Sequence, residues 1–127
     1  MFPSRTSVAL ELRDTRALAA ACLHRSGCDE DSAAAVADTV TAAERDGCAS
    51  HGLFRIPGYC MALRAGRANG HAVPRIASPG RAVLRMDADA GFAPRALAVG
   101  YDPLALSARK HGIAALAIRN TFHFAAL

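Results

Sequence analysis

The chain is 127 residues long, 52% apolar and 20% charged, with a formal charge of +4 carried by fourteen Arg and one Lys. That length suffices for one domain with a modest core, and the composition is too apolar for a disordered chain. The arginines are scattered from Arg5 to Arg119 without the clustering that follows a phosphate backbone, so no nucleic-acid partner is expected.

The opening "MFPSRTSVALELRD" has no apolar core of the signal-peptide kind, and no uncharged run approaches the roughly 18 residues of a membrane span. Cys22, Cys28, Cys48 and Cys60 form no C-x-x-C pair and no Cys/His spacing suited to zinc. These features predict a cytoplasmic protein with reduced thiols, no membrane partner and no metal, the cysteines serving as small apolar packing residues.

Three helices are expected in the first half. "LELRDTRALAAACLHRSG" spaces Leu10, Leu12, Ala17, Leu18, Ala21 and Cys22 as a helical stripe, with Gly27 as its left-handed stop. "DEDSAAAVADTVTAAERDG" begins with three acids that suit a helix N-terminus, with Asp29 as N-cap and Gly47 as C-cap. Its stripe of Ala33, Val36, Ala37, Val40 and Ala43 should pair with the first helix as an αα-hairpin. "RIPGYCMALRAG" is the third helix, with Pro57 in the first turn and Gly66 at the end, which leaves Ser50, His51 and Gly52 where the chain enters it.

Beyond Gly66 the texture changes. "RANGHAVPRIASPGR" is a connector with at most a short extended piece, followed by a strand over Ala82–Met86 and a turn over Asp87–Gly91. "PRALAVGYDPLALSARKHG" has a helical pattern, but Pro103 removes a backbone donor one turn after Val99, so a kink or break is expected around Gly100 to Pro103. "IAALAIR" is a short apolar strand, expected to be buried. It runs into "NTFHFAAL", whose apolar end beside unpaired strand edges gives the sheet an unfinished look. The fold class is α/β (α+β), with a helical region over 1–70 and the beginning of an α/β domain over 71–127.

The residues alone leave the chemistry open. His51, an imidazole beside the Ser50 hydroxyl, can act as general acid or base, or it can hydrogen-bond backbone at a helix start. Ser50 can be simply an N-cap. Arg55 offers a planar fork for a carboxylate or a solvated charge. His123 follows an apolar strand, where open sheets place ligands, or it packs as a half-buried histidine. A hydrolase triad is not expected, since consecutive helical residues do not face each other and no G-x-S-x-G or G-x-G-x-x-G is present.

Taken together, "AAERDGCASHGLFRIPGYCMALRAGRAN", "MDADAGFA" and "KHGIAALAIRNTFHFAAL" resemble the N-terminal part of the malate/L-lactate dehydrogenase-type oxidoreductases, from about Val8 to Leu127. "HFAAL" where dehydrogenase members read "HFGAL", with "GFAPRAL" before it, is similar to the Δ1-piperideine-2-carboxylate/Δ1-pyrroline-2-carboxylate reductase branch. The resemblance implies a non-Rossmann NAD(P)-binding fold, here only its first part, and an enzyme reducing cyclic imino acids with NADPH. It assigns Ser50 and His51 to a proton relay completed by an aspartate beyond Leu127, Arg55 to the substrate carboxylate, and His123, Phe124, Ala125, Ala126 and Leu127 to the cofactor site. It further implies a homodimer for the full-length form and an isolated 127-residue chain that is weak or dead. The alternatives are an NADH-linked 2-hydroxyacid dehydrogenase and a non-catalytic helical binding or dimerisation module.

Overall fold

The computed structural model describes residues 8–77 and 80–122. Helix α1 (Leu12–Arg25) and helix α2 (Glu30–Arg45) lie against each other as the expected hairpin. Two single 3₁₀ turns, Ala49–His51 and Leu53–Arg55, lead into α3 (Ile56–Arg64). Strand β1 (Arg75–Ile76), strand β2 (Val83–Asp87), helix α4 (Ala93–His111) and strand β3 (Ala115–Arg119) follow.

Local chemistry sets most of these boundaries. Asp29 caps α2, its Oδ1 accepting the Ser32 N–H at 2.8 Å, which stabilises the helix by about 1 kcal/mol. Glu30 and Asp31 add negative charge where the helix dipole favours it. Gly27, at φ +105°, ends α1 in a conformation that costs glycine nothing. Pro57 lies in the first turn of α3 as expected.

The buried face of α1 differs from the stripe read in the sequence. Thr15, Ala19 and Leu23 are buried, whereas Leu10, Leu12 and Leu18 are each nearly half exposed. Packing against α2 and α3 selects the face, and Ala19, with almost no side chain, lets the helices approach closely. On α2 the expected face is buried at Ala33, Val36, Ala37 and Val40. Together with Ile56, Tyr59, Cys60 and Leu63 of α3, these residues form the main core, which Phe92 also enters from beyond β2. Burial, then Asp29 and Cys60, push the Cys28 thiol up to about 12, so it packs as an inert thiol. All four cysteines are free, and Cys48 is exposed rather than packed.

The sheet has the order β1-β2-β3. β1 runs antiparallel to β2, pairing Arg75 with Asp87 and Ile76 with Met86. β2 and β3 are parallel, in register from Val83–Ala115 to Asp87–Arg119. β2 starts and ends one residue later than expected, and its inward Leu84 and Met86 are fully buried. Met86, Ala88 and Ala96 form a second, smaller core with Ile76, Val99, Leu116 and Ile118 around them.

Helix α4 and strand β3 also depart from expectation. Helix α4 continues for 19 residues through Pro103 without a break. The missing Pro103 N–H leaves the Val99 carbonyl without its intrahelical donor, but packing on the sheet holds the helix together. Gly100 sits so close that an added Cβ would lie 2.5 Å from Leu116 Cδ2, and Ser107 Oγ donates to the Arg81 carbonyl at 2.6 Å. Strand β3 is not buried. It alternates between exposed and half-buried positions, because Leu116 and Ile118 pack on the smaller core while the other face, shared with the exposed Val83 and Arg85 of β2, is open.

Candidate active site

Between α2 and α3 the backbone tightens into the two 3₁₀ turns, and this departure from α geometry makes the site. The Ala49–His51 turn brings neighbouring side chains together: Ser50 Oγ lies 3.0 Å from His51 Nδ1. The α-helical rule that consecutive residues diverge therefore does not apply here. In either imidazole tautomer this hydrogen bond holds Nδ1 and leaves Nε2 for proton exchange. Ser50 is not the N-cap of α3; that position belongs to Arg55, and no side chain caps it.

Arg55 Nε donates to the Ser50 carbonyl at 2.8 Å. This bond orients the guanidinium plane and leaves both terminal nitrogens for a planar acceptor. Ser50, His51 and Arg55 are thus one connected unit, the hydroxyl touching the imidazole and the carbonyl of the same serine holding the arginine. Arg55 also lines an open groove of about 420 Å³ with Phe54, Tyr59, Met61, Arg67 and Phe122. Phe92 stands behind it, edge-on to Tyr59 at 5.4 Å and to Phe122 at 5.5 Å. A parallel bridge between Phe92 and Phe122 and a 2.8 Å bond from Phe122 N–H to the Gly91 carbonyl bring the end of the described chain to this wall.

Sequence reasoning passed over Glu44. Its Oε1 accepts the Leu53 N–H at 2.7 Å, across the loop that carries Ser50 and His51. The only signal was a small one, a carboxylate in the last turn of α2, where the helix dipole disfavours negative charge. Arg67, the second arginine of the groove, was also missed. His123, Phe124, Ala125, Ala126 and Leu127 lie outside the described residues. No group of three or more metal-ligating side chains is found among the described residues, and none of their helices is long and apolar enough to cross a membrane.

Comparison with known proteins covers nearly the whole chain. The sequence pattern of the malate/L-lactate dehydrogenase family matches residues 10–127. A Δ1-pyrroline-2-carboxylate reductase of Ancylobacter novellus is 45% identical over 120 residues, 94% of this chain and 35% of that protein. A Δ1-pyrroline-2-carboxylate/Δ1-piperideine-2-carboxylate reductase of Pseudomonas putida is 42% identical over 122 residues, 96% of this chain and 36% of its own length. Among solved structures, the Δ1-piperideine-2-carboxylate reductase of Pseudomonas syringae superposes with a TM-score of 0.90 at 40% identity, covering 95% of this chain and 36% of that one. The malate dehydrogenase of Entamoeba histolytica follows at 0.84 and 26%, covering 94% and 33%. The chain spans about a third of the length of the curated relatives it matches.

Proposed function

The chain belongs to the malate/L-lactate dehydrogenase family, and from that premise we propose that it serves an NADPH-dependent reduction of cyclic imino acids such as Δ1-piperideine-2-carboxylate or Δ1-pyrroline-2-carboxylate. The observation that carries the reading is the joined unit of Ser50, His51 and Arg55 beside an aromatic-walled groove. The relatives named for these substrates are more similar to the chain than the malate dehydrogenase is.

Each residue has a task that its chemistry fits. Arg55, braced on the Ser50 carbonyl, holds the substrate carboxylate through its two terminal nitrogens. Ser50 fixes the imidazole, and His51 manages the proton that the ring nitrogen of the imine must gain. Positioned proton transfer of this kind contributes about 10²–10⁴-fold. A nicotinamide held here would supply hydride chemistry at C2 of the imine, and C=N would become CH–NH as the nitrogen gains the proton that His51 manages. The flat walls of Tyr59 and Phe122 suit the face of such a ring, and in this reading His123, Phe124, Ala125, Ala126 and Leu127 continue the cofactor site. Residues 1–70 then form the helical, substrate-facing part and 71–127 begin the cofactor-binding part. A homodimer in the cytoplasm belongs to the same reading.

The test is NADPH oxidation by the 127 residues alone and by the same residues joined to the remainder of the Ancylobacter novellus reductase. Turnover is expected to be weak or absent alone and clear in the chimera, with cyclic imines preferred over pyruvate and oxaloacetate. His51→Ala in the chimera should lower the rate by about 100-fold or more. A preference for the linear 2-oxo acids with NADH would assign the site to 2-hydroxyacid dehydrogenation instead. Robust turnover by the 127 residues alone would refute the dependence on further chain.

A further inference from the structure

We propose that Glu44 is the positioning residue of this site: its carboxylate clamps the two 3₁₀ turns so that Ser50, His51 and Arg55 stand in one fixed arrangement. The inference rests on the reading of those three residues as the active unit. Three observations carry it.

The first is the bond itself. Glu44 Oε1 accepts the Leu53 N–H at 2.7 Å, in a half-buried setting. Leu53 opens the second turn, and Gly52 before it has no side chain with which to cap that turn. Glu44 does from the end of α2 what an N-cap side chain would do locally. An ionised acceptor makes such a bond stronger than a neutral one.

The second is the space that admits the carboxylate. A Cβ on Gly52 would lie 2.0 Å from Glu44 Oε1 and 2.4 Å from Glu44 Cδ. Gly52 follows His51 directly, and its carbonyl accepts the Arg55 N–H at 3.0 Å. The glycine of the Ser-His-Gly run is therefore the seat of the clamp, with one functional residue on one side and the turn leading to Arg55 on the other.

The third is placement. Glu44 sits in the last turn of α2, where the dipole disfavours an acid. That cost is small, and the charge-assisted bond to the Leu53 N–H offsets it. Glu44 touches neither the groove nor the Ser50–His51 bond; it acts on the site through backbone.

Three variants of the chain test the inference by amide hydrogen exchange and by the side-chain NMR signals of His51. Glu44→Ala is expected to raise the exchange rate at Leu53 about tenfold or more and to shift the His51 ring signals, while the amides of Val36 and Val40 in the core stay protected. Glu44→Gln retains an acceptor oxygen at the same reach and should restore Leu53 protection to within about threefold of the parent. Gly52→Ala displaces the carboxylate from the other side and should reproduce Glu44→Ala. Unchanged Leu53 exchange in Glu44→Ala, or Glu44→Gln behaving like alanine, overturns the clamp. Because these readouts need no substrate, they stand or fall independently of the reductase assay.

Discussion

Replacing Phe92 with leucine isolates what the aromatic wall contributes. Phe92 is 1% exposed and meets both Tyr59 and Phe122 edge-on. Each such pair contributes about 0.5–1.5 kcal/mol beyond the area it buries. Two pairs give about 1–3 kcal/mol, and a near-isosteric apolar swap adds up to about 1.5 kcal/mol of repacking. Phe92→Leu should therefore cost about 1–4.5 kcal/mol, a large share of the ~5–15 kcal/mol that holds a typical domain. With a urea slope of about 2 kcal/mol per molar, the unfolding midpoint should fall by roughly 0.5–2 M. Phe54→Leu is the control, since Phe54 is 75% exposed and its loss should stay within about 0.5 kcal/mol. If both variants unfold within about 0.5 kcal/mol of the parent, the wall is not held by its ring contacts and the reasoning fails.

Two glycines should respond differently to alanine. At Gly70 a Cβ would lie 2.1 Å from the Gly27 carbonyl oxygen, a backbone atom beside the start of α2, so thermal denaturation of Gly70→Ala should show a loss of about 2 kcal/mol or more. At Gly100 the obstacle is the mobile end of Leu116, and helix propensity offsets about 1 kcal/mol, so Gly100→Ala should stay within about 1 kcal/mol of the parent. Asp87 gives a pH signature. Its carboxylate is held below the usual range chiefly by the Asn120 side chain at 2.9 Å, then by the Asp89 N–H, with a further contribution from Arg119. A depressed folded-state value means stability present above the unfolded value near 4 and lost as the pH falls through the folded one. The difference in Tm between the parent and Asp87→Asn should be largest near pH 6 and shrink towards pH 2.5; a difference that does not change with pH would contradict it.

Features governed by neighbours in sequence were readable directly. Asp29 capping α2, Gly27 closing α1 and Pro57 opening α3 each depend on a few consecutive residues, and each was found where the sequence put it. The family resemblance was legible too, through "SHGLFRIPGY" and the segments after it. What escaped depends on contacts between distant residues. Leu10, Leu12 and Leu18 fit a helical stripe as well as Thr15, Ala19 and Leu23 do, and only the neighbouring helices choose between them. Pro103 marks a missing donor, but not the packing of Gly100 on Leu116 that keeps α4 whole. The Ser50–His51 contact needs 3₁₀ geometry, and Glu44 acts on a residue nine positions away.

The parallel pairing of β2 with β3 also sets an order of events in time. Val83 finds Ala115 only after a separation of 32 residues (115 − 83) has been spanned by α4, whereas α1 and α2 meet across a short turn. Local contacts form early and non-local strand pairing late, because the entropy of closing the longer loop must be met first. Phe122 hangs from the far end of that late pairing, through its bridge to Phe92. By that argument the helices and the Ser50–His51–Arg55 turns are expected to form before Phe122 docks on Phe92, which predicts that the groove shared by Arg55 and Phe122 is completed late.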